Sequence, residues 1–199
     1  MTGKTTHTGG MIFQDEARLN RTANILGALA IALSGRITAE TSVAGGLSPS
    51  SVSALIQVHF YPGISVEQLR NQIGLSHSAS VRVVDVLEGM GLIGRRRMPG
   101  VDARVISLFT TDKGRDLAKE VLKVRGSITK PIVASFSADD QLLIERMLCE
   151  IIMRIVRPGP EQEYVCRFCD LSECPQETCP MTLLDHIAPA SSSVGGRTP

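Results

Sequence analysis

From Gln14 onward, apolar and small residues recur at alternating spacings of four and three: Leu19, Ala23, Leu26, Ala30, Leu33 and Ile37. That is a heptad seam, and it predicts a helix that packs along another helix. An ordinary amphipathic core helix would carry the same pattern. Gly27, Ala23 and Ala30 would permit close approach. Residues 1–13 are polar and Gly/Thr-rich and predict a flexible tail. Thr41 to Leu47, with Gly45-Gly46, predicts a loop.

Ser48-Pro49 reads as an N-cap followed by proline at the first helical position. The helix it opens carries Val52, Leu55, Ile56 and Phe60 and stops at Pro62-Gly63. Ser65-Val66-Glu67-Gln68 is a capping box. It opens a short helix through Leu69 and Ile73, which Gly74 ends as a left-handed cap. Ser76 caps a further helix, whose inward face is Val81, Val84 and Leu87 and whose end is Gly89-Met90-Gly91. Two short helices joined by a tight glycine turn predict a helix-turn-helix. Strands are predicted from Leu92 to Met98 and from Arg104 to Phe109, with a turn at Pro99-Gly100. Thr111 caps the next helix, which Gly126 and Pro131 are expected to interrupt or kink. Ser137 with Asp140 caps a last long helix with an apolar face of Ile144, Met147, Leu148, Ile151, Ile152 and Ile155.

The charge pattern sharpens this picture. The 199 residues carry a formal charge of only +1, so no global field points to a nucleic-acid or membrane partner. Yet between Arg95 and Arg104 four arginines (Arg95, Arg96, Arg97 and Arg104) stand against Asp102 alone. A nearly neutral chain has placed its positive charge on a hairpin directly after a helix-turn-helix. That is a winged-helix plan with a duplex-binding footprint. A solvated basic edge hairpin is the bland alternative. The fold class expected is therefore mainly α with a small β-wing, a winged helix-turn-helix, and the Leu19–Ile37 seam suggests a dimerisation helix. Only five Phe, two Tyr and no Trp are present, so the core must be aliphatic. The longest uninterrupted apolar stretch, Ile25 to Leu33, is far shorter than the ~20 residues of a membrane span. No membrane partner is expected. The N-terminus lacks a signal-peptide core, which predicts a cytoplasmic protein in a reducing compartment.

From about Leu19 to Val156 the chain resembles the MarR family of bacterial transcription regulators. The resemblance rests on Ile73-Gly74-Leu75-Ser76, Val81-Arg82-Val83-Val84-Asp85 and Leu87-Glu88-Gly89-Met90-Gly91-Leu92. Arg95-Arg96, Asp102-Ala103-Arg104, Leu108-Phe109-Thr110-Thr111 and Lys113-Gly114 follow in order. It implies a dimeric winged helix in which the seam at Leu19–Ile37 pairs with the partner's face at Ile144–Ile155. It implies a regulator, most often a repressor, that binds double-stranded DNA over an inverted repeat. It also implies a small-molecule effector near Val58-His59-Phe60-Tyr61 and the first helix.

The recognition helix predicted is Ser76 to Glu88. With its apolar residues turned inward, His77, Ser78, Ser80, Arg82 and Asp85 are left outward. Arg82 can fork onto guanine, and Ser78 and Ser80 can reach base edges or phosphate. Asp85 is expected to hold an arginine rather than meet DNA. Arg95 and Arg97 fall on one face of their strand, and one or both are expected to touch phosphate. The resemblance places Arg104 at the minor-groove tip with Asp102 bracing it.

The resemblance does not cover Cys166-x2-Cys169-x4-Cys174-x4-Cys179. Four thiols at this spacing resemble a zinc knuckle with cysteine in the usual histidine position. They equally suit an iron–sulfur cluster, and Cys179-Pro180 echoes the ending of some cluster motifs. Zinc is the first expectation, the cluster the alternative, and a reversible thiol switch the third reading. His186 is the nearest substitute ligand. From Glu161 to Asp185 six acidic residues face Arg167 alone, which argues against nucleic-acid binding by this segment. It is expected to act as a structural clip or a metal or redox sensor and to share no core with the winged helix. Cys149, in the last long helix, reads as a small core or interface residue.

The domain reading is a tail at 1–13, a winged-helix domain at 14–157 with its DNA-binding part at 48–110, a cysteine segment at 158–187, and a second tail at 188–199. The chain shows no nucleophile elbow, phosphate-binding glycine loop or paired carboxylates with a histidine partner, so it reads as no enzyme. An adaptor that uses the winged helix as a scaffold is the competing class, and the arginine-rich wing argues against it.

Overall fold

The computed structural model describes residues 8–97, 106–174 and 177–187. The chain divides into two units, Met1–Ala39 and Glu40–Pro199. Helix α1 (Thr8–Gly45) supplies the described part of the first unit and enters the second. It is longer at both ends than its pattern suggests. It begins inside the expected tail and absorbs most of the expected loop. The reason at the C-terminal end is packing. Thr41 is fully buried, and a Cβ built on Gly45 would stand 3.4 Å from a Val121 methyl. Gly46, at φ +59°, ends the helix, with Leu47 N–H donating to the Ser42 carbonyl at 3.1 Å. Over Asp15–Gly45, α1 is long and apolar enough to cross a membrane by length and composition. Counting only uninterrupted apolar residues misses this, and length and composition alone do not assign a span.

Helix α2 (Pro49–Phe60) starts as predicted, the Ser48 hydroxyl accepting from Ser51 N–H at 3.2 Å. Ser51 to Val58 are all buried, which makes α2 the central helix of the second unit. Strand β1 (Ile64–Ser65) leads into α3 (Val66–Ile73), whose capping box between Ser65 and Gln68 is formed in both directions. Helix α4 (His77–Gly89) is followed by strands β2 (Ile93–Arg96) and β3 (Ser107–Thr110). The sheet is antiparallel in the order β1-β3-β2, with Ile64 opposite Leu108 and Arg95 opposite Leu108 on the other edge. The pattern gives β2 and β3 but not β1, because two residues are too few to show alternation.

Around α2 the core gathers Val52, Leu55, Ile56, Leu69, Val84, Leu87, Leu92, Leu108, Ala118 and Val121. At about 25 cal/mol per Å² of apolar surface removed from water, such aliphatic burial is the main favourable contribution to this fold. Helix α5 (Asp112–Ala134) is capped by Thr111 and runs on past Gly126 and Pro131, against the expected interruption. Pro131 lies in the last turn, where a missing N–H costs one hydrogen bond and leaves few turns to redirect. Helix α6 (Ala138–Ile155), capped by Ser137 as expected, buries no residue fully in this chain. Leu142, Leu143, Met147, Leu148 and Ile155 on it are exposed, as are Leu19, Ile25, Leu26 and Leu29 on α1.

Beyond Gly159 come α7 (Pro160–Val165), a 3-10 turn over Cys166–Phe168, and α8 (Pro180–Ile187). Contrary to expectation, this segment is not independent of the winged helix. Phe168 packs against the main core, Gln57 Nε2 donates to the Cys166 carbonyl at 3.4 Å, and Lys130 pairs with Glu173 at 3.1 Å. A second small cluster joins Val156, Met181 and Leu184 with Ile152, Val165, Cys166 and Cys179. Acidic composition hides this because two or three apolar anchors suffice to dock so short a segment.

Candidate nucleic-acid interface

The helix-turn-helix is built from α3 and α4. Gly74 takes φ +67° at the turn, and its N–H and that of Leu75 satisfy the last carbonyls of α3. Ser76 caps α4 by accepting from Ala79 N–H at 3.3 Å. Leu69 and Ile73 from α3, with Val84 and Leu87 from α4, lock the pair onto α2.

The exposed side of α4 carries His77, Ser78, Arg82, Asp85 and Val86. Ser80 is a correction to the sequence reading. It is fully buried, and its hydroxyl donates to the Ser76 carbonyl at 3.0 Å. A small hydroxyl can turn inward where it closes a bond to the preceding turn, so polarity alone misplaces it. Val86 is the reverse case, half exposed at 51% although apolar. Its spacing of four from Arg82 and eight from Ser78 puts it on their stripe, a signal that assigning all apolar residues inward overlooks. Among the described residues Arg82 has no ion-pair partner, so its guanidinium is open to a ligand. His77 Nδ1 lies 3.8 Å from Glu67, which also accepts from Arg70; that bond is the first cause of a Glu67 carboxyl held below its usual range.

Asp85 holds an arginine, as expected. The arginine is Arg95, whose Nη2 lies 2.5 Å from Asp85 and whose Nη1 lies 3.0 Å from Glu88. The wing strand β2 is thereby clamped to α4. This pairing removes Arg95 from the freely available positive charges and leaves Arg97 exposed. Arg96, on the other face, stands 5.4 Å above the Phe109 ring. Asp102 and Arg104 lie outside the described residues. At the other end of the wing, Thr111 Oγ1 donates to the Gly91 carbonyl at 2.7 Å. Lys113 Nζ donates to the Met90 carbonyl at 2.9 Å. A Cβ on Gly114 would overlap the Leu92 carbonyl oxygen, so α5 begins pressed onto the first residues of the wing.

Three of the four segment cysteines, Cys166, Cys174 and Cys179, line one cavity of about 250 Å³ with Tyr61, Gln72 and Leu171. The Cys166 thiol donates to the Cys169 sulfur; this bond holds Cys169 down to about 6, helped by the Arg125 and Arg167 charges, and pushes Cys166 up. Among the described residues no three His, Cys, Asp or Glu side chains are placed to hold a single metal ion. The His186 side chain is outside the described set, and Cys149 is half-buried on α6. A second cavity, of about 760 Å³, opens beside His59 and Phe60 and is lined by Lys119, Lys123 and Lys130 from α5. His59 Nδ1 is buried there without a hydrogen-bond partner.

The MarR family model matches residues 47–106, which run from the start of α2 through the wing. A curated relative, the uncharacterized HTH-type transcriptional regulator YdgJ of Bacillus subtilis (strain 168), is 27% identical over 110 residues. That match spans 55% of this chain and 64% of the relative, under two thirds of its length. Among solved structures, a MarR family protein from Bacillus stearothermophilus is similar with a TM-score of 0.61 at 24% identity, over 70% of this chain and 96% of that one. The YusO protein of Bacillus subtilis is similar with a TM-score of 0.58 at 22% identity, over 68% of this chain and 95% of its own. The two structures share the winged-helix fold. The cysteine segment lies beyond the residues that the family model matches.

Proposed function

We propose that this chain is a MarR-type transcriptional regulator that binds duplex DNA as a homodimer and acts as a repressor. The observation that carries the reading is the open stripe Ser78–Arg82–Val86 on α4, held against a basic wing by the Arg95 bridge to Asp85 and Glu88. A helix so presented enters the major groove. Arg82 forks onto guanine and Val86 meets a thymine methyl, each a base-edge contact. Arg97 touches phosphate and positions without reading sequence. His77 and Ser78 lie at the N-terminal end of α4, the end that approaches the groove.

The unpartnered apolar faces of α1 and α6 support the dimer. Leu26 and Leu148 are 42% and 51% exposed in a single chain, and a second copy would cover them. Two recognition helices about 34 Å apart then read an inverted repeat. The lysine-lined cavity at His59 suits a small anionic effector. The four cysteines supply a sensing element beside the helix-turn-helix. A cytoplasmic location follows from a duplex partner.

The test is a gel shift of the full chain on DNA from its own upstream region, at several salt concentrations. Specific binding by the parent, weakened about tenfold or more by Arg82→Ala with the fold intact, supports the reading. Equal binding to operator and scrambled duplex by parent and variant alike would overturn it.

A further inference from the structure

The cysteine segment can be taken further, to the chemistry its thiols support. Among the described residues no three metal-holding side chains are gathered for a single ion, but two of its sulfurs meet. The Cys166 thiol donates to the Cys169 sulfur, and the Cys169 N–H donates to the Cys166 carbonyl at 2.8 Å. The 3-10 turn begins at Cys166 and is capped by Cys169. With three residues per turn, side chains three apart lie on one side. A closed turn also holds its end Cα atoms within about 7 Å, close to the reach of a disulfide.

The two residues between them anchor the turn. Arg167 lies 3.6 Å over the Tyr164 ring, and Phe168 packs against the main core. Gln57 Nε2 holds the Cys166 carbonyl from α2. Cys166 and Cys169 are free thiols, and both residues are only partly buried, so a small reagent reaches them from solvent. They are not alike. Cys169 accepts the thiol hydrogen bond and has the charges of Arg125 and Arg167 beside it. Such surroundings favour a nucleophilic sulfur. Cys166 borders the cavity of about 250 Å³, which leaves its side chain room to shift. One cysteine is set to attack and the other to resolve. Packing alone accounts for Cys166, which sits against Val156, Met181 and Leu184. It does not account for a second sulfur hydrogen-bonded to it across an anchored turn.

We propose that Cys166 and Cys169 form a thiol–disulfide exchange site that takes a small disulfide, the oxidised form of a low-molecular-weight thiol, and closes to a Cys166–Cys169 disulfide. The Cys169 sulfur gives up its proton and attacks one sulfur of the small disulfide. A mixed disulfide forms at Cys169, the small molecule's own S–S bond breaks, and one thiolate leaves and takes up a proton. Cys166 then gives up its proton and attacks the Cys169 sulfur. The Cys166–Cys169 bond forms, the mixed disulfide breaks, and the second thiol leaves. The two cysteines lose two electrons and two protons, and the small disulfide gains both.

The test uses the full chain, reduced, freed of reductant and kept from oxygen, with excess bis(2-hydroxyethyl) disulfide as the probe near neutral pH. Free thiols are counted by alkylation. The bond is located by mass spectrometry after cleavage behind Arg167 and ahead of Asp170, which parts Cys169 from Cys166 and from Cys174. The expected result is the loss of two of the five thiols, with the fragment ending at Arg167 joined to Phe168-Cys169. Cys166→Ser should stop at the mixed disulfide, with one probe-derived thiol held on Cys169. The double variant Cys174→Ser, Cys179→Ser should still close the bond. A parent that keeps all five thiols overturns the proposal. So does a bond between Cys174 and Cys179 that leaves Cys166 and Cys169 free. The parent alone decides the outcome should Cys166→Ser fail to fold. The proposal rests on the reading of the segment as a sensing element, but no DNA enters these measurements. A chain that closes the bond and binds no operator would sink the regulator reading alone.

Discussion

The Tyr164 ring lies against Gly74, so that a Cβ at Gly74 would stand only 2.8 Å from two ring carbons. Gly74 is the left-handed turn of the helix-turn-helix, and Tyr164 is two residues ahead of the first segment cysteine. Arg167 covers the ring at 3.6 Å. The cysteine segment therefore touches the turn that joins α3 to α4.

That contact makes an energetic prediction. Gly74→Ala forces a side chain into a left-handed conformation, worth about 1–2 kcal/mol, and also displaces the Tyr164 ring. In a Tyr164→Ala background the second cost disappears, so the loss should be smaller. Urea denaturation of the parent, both single variants and the double variant reads the difference. Strict additivity would mean that the ring and the turn are not coupled.

The two wing arginines should separate by salt dependence. With Arg97 in the proposed role of phosphate ligand, Arg97→Ala should lower affinity about equally on all duplexes and shrink the slope of log K against log salt by about one. Arg95→Ala instead releases β2 from Asp85 and Glu88. Its loss should be larger on the operator than on random DNA, with the salt slope nearly unchanged. Anisotropy titrations at four salt concentrations distinguish the two. Identical behaviour would dissolve the distinction between clamp and phosphate ligand.

Much of this was legible in the chain. The caps at Ser48, Ser65, Ser76, Thr111 and Ser137 are local chemistry, a hydroxyl within reach of a free N–H, and local chemistry survives folding. The bridge from Asp85 to a wing arginine follows from charge placement. The exceptions depend on which side of an element the core covers, or on neighbours distant in sequence. Ser80 turns inward because the Ser76 carbonyl and the core await it, and Thr41 stays helical because its site is buried. Strand β1 exists only through its pairing with Leu108 and Ser107. Docking of Phe168 into the core likewise has no signature in the acidic run around it.

A charge on either terminal helix tests the dimer. Leu26 on α1 and Leu148 on α6 are exposed, so Leu26→Glu and Leu148→Glu should leave each chain folded. Both should convert a dimer to a monomer in sedimentation and reduce operator affinity at least a hundredfold, since one half-site then binds alone. Variants that stay dimeric with parental affinity would place the interface elsewhere.

His59 should make stability fall on the acid side of neutrality. Burial first, then the charges of Lys119 and Arg115, lower its pKa below the usual histidine value near 6.5, and Asp170 only partly opposes them. Its Nδ1 is buried without a partner, so protonation would place a charge where nothing receives it. In the unfolded chain the same ring takes up a proton near pH 6.5. Between that value and the lower folded one, the unfolded state binds more protons, and stability rises with pH. The contribution is complete above about pH 7 and is lost as pH falls through 6.5 toward the folded pKa. His59→Gln keeps a polar group of similar reach without the titration. Urea midpoints measured from pH 7.5 to 5.5 should therefore decline less steeply in the variant than in the parent. The other ionisable groups are common to both proteins and cancel in the difference. Parallel pH profiles would show that His59 is protonated as readily in the fold as outside it.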